Sequence, residues 1–488
     1  MQPVRIDQDL ARHEAALQFL LGRIDYERAV NVAYGAREFK LERMRHLLRR
    51  LGDPQQGMPI IHIAGTKGKG STAGMIGGIL TAAGYRTGLF TSPHLDRLEE
   101  RMAVDGAPCP PDELVALVDH LRPVVEAMDQ AAAEDELGAV TYFELTTALA
   151  LLHFRQRGAH AAVLEVGMGG RLDSTNVCQP CVAVITNISF DHMQQLGNTL
   201  AAIAREKAGI IKRGVPVVSG VIEPEARDVI RESAQSRGCR LVELGVDFDF
   251  RYHPPSGRQA GPPSCGDWQP STARVEFFVP APATDERAGG IEYPLALIGR
   301  HQAANAAIAL ATVGQLRQAG WQIGEEAVGA GLAGTACPAR VEVVAQRPKV
   351  VLDVAHNVAS IRALMEVLDE SFPADRRLLI FATTQGKDLR GMLAEMVGKF
   401  DEMVFTRYLN NPRSVPPEEL QSLAAELTGR RFPAYADPAD AWEQVREMVA
   451  PDDLVCITGS FFIAAEMRRL LAARPLLLPA EAEARESA

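Results

Sequence analysis

Hydrophobic and polar positions alternate along this chain in the rhythm of a layered α/β protein. Residues 10–50 read as helical, with Ala15, Leu17, Phe19 and Leu20 set among charged neighbours. Pro59-Ile60-Ile61-His62-Ile63-Ala64 is a short apolar run of strand length. A glycine-rich loop follows, and a helix is predicted from Ser71 through Met75, Ile79 and Leu80. Gly84 closes that helix and Thr87–Thr91 reads as the next strand. Strand, helix, strand in this order predicts a βαβ unit and a parallel sheet. The alternation goes on: a helix over Phe143–Gln156, strands at Ala161–Val166 and Val182–Asn187, a helix over Leu200–Ile211, a strand at Val215–Ser219 and a helix over Glu223–Ser236.

The rhythm breaks between 245 and 298. His253-Pro254-Pro255-Ser256-Gly257 and Gly261-Pro262-Pro263-Ser264 predict a few β-segments carrying an exposed loop. A helix from about His301 to Gln318 closes this half. From about residue 338 a second run begins, with strands at Val341–Val344, Val350–Val354, Leu378–Ala382, Met403–Thr406 and Leu454–Thr458. The expected architecture is α/β: a P-loop parallel-sheet domain at 1–335 with an insertion near 250–290, then a smaller Rossmann-like domain at 336–475 and a frayed tail at 476–488.

Composition narrows the classes. A chain of 488 residues is too long for one ordinary core. The formal net charge of −11 argues against nucleic acid held by bulk positive charge. Neither a leader-type apolar segment nor a membrane-length run is visible, and seven scattered cysteines suit reduced thiols. The expectation is a cytoplasmic enzyme of small molecules, with no nucleic-acid or membrane partner. Cys178-Gln179-Pro180-Cys181 lacks a second pair at zinc spacing, so no metal is assigned to it.

Gly65-Thr66-Lys67-Gly68-Lys69-Gly70-Ser71 lies between a strand and a helix, the context a phosphate cradle needs. Glycines let backbone N–H groups turn toward an anion. Lys69 supplies a point charge for the outer phosphates, and Ser71 or Thr72 a hydroxyl for Mg²⁺. The spelling departs from G-x-x-x-x-G-K-[ST]: Ile63 holds the first glycine position, and Gly70 follows Lys69.

That spelling resembles the Mur ligase superfamily. Thr91-Ser92-Pro93-His94-Leu95 with Glu100-Arg101, Thr141-Tyr142-Phe143-Glu144, Glu165-Val166-Gly167-Met168-Gly169-Gly170-Arg171-Leu172-Asp173 and Thr186-Asn187-Ile188-Ser189-Phe190-Asp191-His192 resemble, in order, the blocks of the folylpolyglutamate synthase and dihydrofolate synthase family. So do Ile203–Lys212, His301-Gln302 with Asn305-Ala306, and Asp353-Val354-Ala355-His356-Asn357. The resemblance implies a two-domain ligase with ATP bound between the domains. ATP would activate a folate or dihydropteroate carboxylate as an acyl phosphate, which L-glutamate then attacks. It further implies that Ser92, Glu144 and His192, with Ser71, hold Mg²⁺, and that Lys207 is carbamylated. Lys67, Gly68, Lys69, Gly70, Ser71, Asn305, Arg340 and Asp353 would contact ATP, and Lys69, Lys207 and His356 would serve the chemistry.

Departures from the pattern are local. Lys67 stands where Asn is common, Ala339 where Gly is usual, Val354 where Gly often follows the Asp, and Val358 where Pro follows the Asn. A Mur ligase acting on a UDP-muramyl peptide would share the loop, Asn305 and the Asp353 block. Thr91–Leu95 and Thr141–Glu144 favour the folate branch. Which folate reaction occurs is left open at this point.

Overall fold

The computed structural model describes residues 3–25, 41–131, 138–191, 193–255, 272–280 and 289–474. The expected loop residues 256–271 and 281–288, and the tail at 476–488, lie outside them. Two compact units emerge, one drawn from 1–253, 274–296 and 302–335, the other from 254–273, 297–301 and 336–488.

The first unit is organised by eight strands: β1 (Ile60–Ala64), β2 (Thr87–Phe90), β3 (Met102–Val104), β4 (Ala107–Pro108), β5 (Ala161–Glu165), β6 (Val182–Ile185), β7 (Val217–Ser219) and β8 (Leu241–Glu243). Their order across the sheet is β4-β3-β2-β5-β1-β6-β7-β8. From β2 to β8 all pairings are parallel. The sequence pattern fails at the other edge, where β3 pairs antiparallel with both β2 and β4. Asp105-Gly106, both in the left-handed region, turns that hairpin, a short-range signal present in the sequence. Every residue of β1, β5 and β6 is buried. Helices cover both faces of a parallel sheet, so its central strands read as unbroken apolar runs.

Two helices shape the surroundings of β1. Lys69–Ala82 follows it directly and carries Gly77-Gly78 in its interior, a costly pair for a helix. The reason is packing. A Cβ on Gly331, in the helix Glu325–Ala333, would lie 2.4 Å from the Ile79 Cα, so the two helices meet backbone to backbone. The helix Pro111–Ala131 has no counterpart in the sequence-based expectation. The helix predicted to run to Ile211 ends at Ala208.

The region that broke the α/β rhythm contains β9 (Asp249–His253), β10 (Ala273–Phe278) and β11 (Ile291–Leu295), in the order β11-β10-β9. The β-segments expected there are present, and β9 and β10 run antiparallel.

The second unit is built on β12 (Glu342–Gln346), β13 (Lys349–Leu352), β14 (Arg377–Phe381), β15 (Glu402–Phe405) and β16 (Leu454–Thr458), ordered β12-β13-β16-β14-β15. Four strands are parallel and β12 is antiparallel to β13. Only Arg347 and Pro348 separate β12 from β13, too few residues for a crossover, so a hairpin is the sole connection open to them. Leu352, Val351, Leu379, Phe381, Phe405 and Cys456 are fully buried in this unit.

Candidate active site

In open parallel sheets, ligands gather beyond the carboxyl ends of strands where the strand order reverses. In the first unit β1 sits between β5 and β6, and the glycine-rich loop leaves its carboxyl end. Gly68 has φ +79° and precedes the helix Lys69–Ala82. The Thr72 N–H makes the first intrahelical bond, 2.9 Å to the Gly68 carbonyl. No side chain caps this terminus, so its leading N–H groups are positioned for an anion.

The loop is braced by residues far along the chain. The Thr66 N–H donates to the Asn187 carbonyl at 2.9 Å and the Lys67 N–H to Asn187 Oδ1 at 2.8 Å. The Thr66 hydroxyl and Ser189 backbone bond reciprocally, and the Thr186 hydroxyl donates to the Lys67 carbonyl at 2.6 Å. A Cβ on Gly68 would lie 2.2 Å from Asn305 Oδ1, whose amide in turn donates to Gln302 Oε1 at 3.0 Å. Asn305 therefore abuts the loop. Lys67, an expected ATP contact, has its ammonium engaged by Asp191 at 2.7 Å. Lys69 stays half-buried at the helix start.

Lys207 is brought to the same loop. Its ammonium is buried and donates to the Gly65 carbonyl at 2.8 Å. Burial, reinforced by repulsion from Lys69 and partly offset by Asp191, lowers its pKa to about 7. Glu165, the last residue of β5, is buried, and its Oε2 accepts the Ser92 N–H at 3.1 Å. The same carboxylate oxygen lies 3.3 Å from where a Gly70 Cβ would be. The loop, Ser92, Glu165, Lys207 and Asn305 thus gather beyond the carboxyl ends of the central strands.

In the second unit, Asp353 follows β13. Its carboxylate accepts the Val341 N–H at 2.9 Å and the Ala355 N–H at 2.7 Å. Burial raises its pKa, and the Arg340 charge works against that rise. The Arg340 guanidinium lies 5.1 Å from the centre of the Phe461 ring, and the His356 ring lies 5.8 Å from it. His356 Nδ1 is 2.8 Å from the Val354 carbonyl, which can only accept, so Nδ1 carries the proton. Ala339 and Val341 hold φ of 55° and 52°, a region costly for side chains with a Cβ. Arg340, Asp353 and His356 are therefore gathered, with Phe461 as an aromatic platform.

The Mur ligase middle domain family matches residues 63–313, and the Mur ligase glutamate ligase domain family matches residues 339–461. The chain is 35% identical to the dihydrofolate synthase/folylpolyglutamate synthase of Bacillus subtilis over 88% of its own length and 94% of that protein. It is 34% identical to the folylpolyglutamate synthase of Lacticaseibacillus casei, at 88% and 94% coverage. Its structure resembles that of the Mycobacterium tuberculosis folylpolyglutamate synthase complexed with ADP and AMPPCP, with TM-score 0.79, 33% identity, and 95% and 98% coverage.

The chain belongs to the folylpolyglutamate synthase and dihydrofolate synthase family. Membership makes it an acid–amino-acid ligase with the α/β architecture of the Mur ligases.

Within that frame one expected ligand is misplaced. Glu144 is not at the loop. Its carboxylate accepts both the Arg43 Nε–H, at 3.0 and 2.8 Å, and the Thr141 backbone and hydroxyl, at 2.8 and 2.9 Å. It closes a capping box at the start of the helix Tyr142–Gln156, inside a buried ion pair. Glu165 is the carboxylate that faces Gly70 and Ser92. The signal was available, since Glu165 is an acid ending an apolar strand of a parallel sheet. His192 lies outside the described residues. Sequence reasoning also missed Phe461, which follows Gly459-Ser460 at the carboxyl end of β16.

Proposed function

We propose that this chain is an ATP- and Mg²⁺-dependent ligase that joins L-glutamate to a folate-type carboxylate, dihydropteroate or a tetrahydrofolyl-polyglutamate. The observation that carries the reading is the meeting of uncapped loop N–H groups, Lys69, Ser71 and Glu165 at the carboxyl ends of β1 and β5, in a chain of this family. Oxygen donors suit Mg²⁺: one carboxylate from Glu165, hydroxyls from Ser71 and Ser92, and water. Mg²⁺, when bound, neutralises charge developing on the transferring phosphoryl group.

The residues then divide the work. The loop N–H groups and Lys69 hold the phosphates and favour the charge of the leaving ADP. The acceptor carboxylate attacks the γ-phosphorus, the bond to ADP breaks, and an acyl phosphate results. The glutamate amine attacks the acyl carbon, phosphate leaves, and the amine loses a proton to yield the amide. Arg340, Asp353 and Asn305 are assigned to ATP, and His356 to the incoming glutamate. Lys207 is assigned as a carbamylated lysine: only a neutral amine adds to CO₂, and a pKa of about 7 leaves much of it neutral at physiological pH. Residues 1–335 are assigned the phosphate loop and the metal, and 336–475 the glutamate-ligase role together with Arg340 and Asp353.

The substrates are small molecules, and the reduced thiols of the six described cysteines fit cytoplasmic work. Among the described residues, no helix is long and apolar enough to cross a membrane.

Product analysis tests the reading. Purified protein is given ATP, Mg²⁺ and glutamate with dihydropteroate and tetrahydrofolate in parallel, and products are read by mass spectrometry. A product one glutamyl residue heavier, formed with equal ADP, is expected from at least one acceptor. ADP released only with a UDP-muramyl peptide, or without amide product, would overturn the proposal.

A further inference from the structure

His62 is a polar residue at the centre of β1 and is fully buried. Nothing in the reaction outlined above uses it. Its Nε2 lies 2.8 Å from the Thr175 hydroxyl, and its Nδ1 faces Cys178 Sγ at 3.6 Å. Thr175, also fully buried, directs its hydroxyl and its N–H to Asp173 Oδ1. Asp173 Oδ2 accepts the N–H groups of Gly167 at 3.0 Å and Met168 at 3.1 Å. These two residues lie one step beyond Val166, in the loop that leaves Glu165.

The directions follow from Asp173. Burial raises its pKa, but three backbone N–H groups and the Thr175 hydroxyl surround the carboxyl and favour its ionised form. Thr175 therefore donates its hydroxyl proton to Asp173, so it must accept from His62 Nε2–H. A neutral imidazole protonated at Nε2 has an acceptor at Nδ1, which takes the Cys178 thiol proton. The thiol is buried and kept protonated, with its pKa pushed up to about 12 by burial. Cys178, half of a C-x-x-C, thus has a place as a weak donor at the outer end of a chain.

We propose that His62 is a positioning residue for phosphoryl transfer: the relay Cys178–His62–Thr175–Asp173 fixes the Gly167 and Met168 N–H groups and thereby aims the Glu165 carboxylate at the phosphate loop. The same loop is packed against Phe143, whose ring lies 2.5 Å from where a Gly167 Cβ would be. The Asp173 bonds hold the backbone, and the Phe143 ring leaves it no room on the Cβ side of Gly167. Displacing a carboxylate by about 1 Å costs on the order of a hundredfold in rate. The relay rests on assigning Glu165 to the metal side of the site.

Two measurements test it. In the wild-type protein labelled with ¹⁵N-histidine, His62 should show the neutral Nε2–H tautomer across the neutral pH range. The Nδ1–H tautomer, or a titrating imidazole, would reverse the chain and overturn the proposal, whatever the catalytic assays give. In kinetics, Thr175→Val should lower kcat roughly tenfold to a hundredfold, raise the Mg²⁺ requirement, and leave the KM for ATP within about twofold. Thr175→Ser should restore kcat, and His62→Gln, which keeps a donor near the ε position, should lie between. If Thr175→Val does not fold, the same comparison of kcat and Mg²⁺ requirement is made between His62→Gln and His62→Leu. Loss of thermal stability with kcat and Mg²⁺ requirement at wild-type values would show a merely structural network. A wild-type enzyme without turnover would instead fault the proposed function, and the tautomer would still be read.

Discussion

Replacing Gly68 with alanine separates two demands that the phosphate loop makes on one position. The backbone demand is φ +79°, where a Cβ costs about 1–2 kcal/mol. The spatial demand is Asn305, whose Oδ1 and Cγ would lie 2.2 and 2.9 Å from the new Cβ. The buried amide must turn away, and its bond to Gln302 is lost at about 1 kcal/mol. Gly68→Ala should therefore lose about 2–3 kcal/mol if the loop keeps its shape. If the loop relaxes instead, the same energy appears as a loss of roughly 30-fold to 160-fold in kcat/KM for ATP. Urea unfolding and an ADP-release assay with ATP titration read the two routes. Asn305→Ala supplies the control. In that background the clash is gone, so adding Gly68→Ala should cost stability only the backbone share of about 1–2 kcal/mol. A Gly68→Ala protein with wild-type stability and wild-type kcat/KM for ATP would refute the reasoning. So would a double variant whose two losses simply add.

Glu165→Gln should abolish most Mg²⁺-dependent turnover with little change in fold, whereas Glu144→Gln should leave the Mg²⁺ requirement alone and destabilise by up to about 3–5 kcal/mol, because it breaks a buried ion pair; Mg²⁺ titrations beside thermal melts compare them. Lys207 is protonated below its pKa of about 7 and neutral above it, so activation by added bicarbonate should grow as pH rises through that value, and ¹³C NMR with labelled CO₂ should show a carbamate absent from Lys207→Arg. Ala339→Gly should stabilise the protein by about 1 kcal/mol, since Ala339 holds φ 55°, and a calorimetric melt of the second unit reads it.

How much of this could be read from the residues depended on whether the determinant was local. Ile60–Ala64, Ala161–Glu165 and Leu454–Thr458 are buried on both faces, so their apolar runs announce strands. The edge hairpin at 102–108 has strands too short for any period to develop, and only Asp105-Gly106 betrays it. The loop was legible because its glycines answer to backbone geometry. Its braces were not, because Asn187, Asp191 and Asn305 reach it from more than a hundred residues away. The exchange of Glu144 for Glu165 has the same origin. Both glutamates lie in recognisable blocks, and what distinguishes them is that β5 is the neighbour of β1 and β2. Sheet order is not a local property of the sequence. The engagement of Lys67 with Asp191 likewise belongs to the folded state.

Those distant braces also bear on how the protein is made. Lys67 and Asp191 are 124 residues apart, so the loop cannot close on its supports until that much more chain has left the ribosome. At about 5–20 residues per second the interval is roughly 6–25 s. Asn305 arrives later still. Until then the loop lacks its full set of braces, and for most of that interval β1 has no β5 or β6 to lie between. A nascent chain should therefore gain affinity for nucleotide in steps, first as the Thr186–Asp191 segment emerges and again with Asn305.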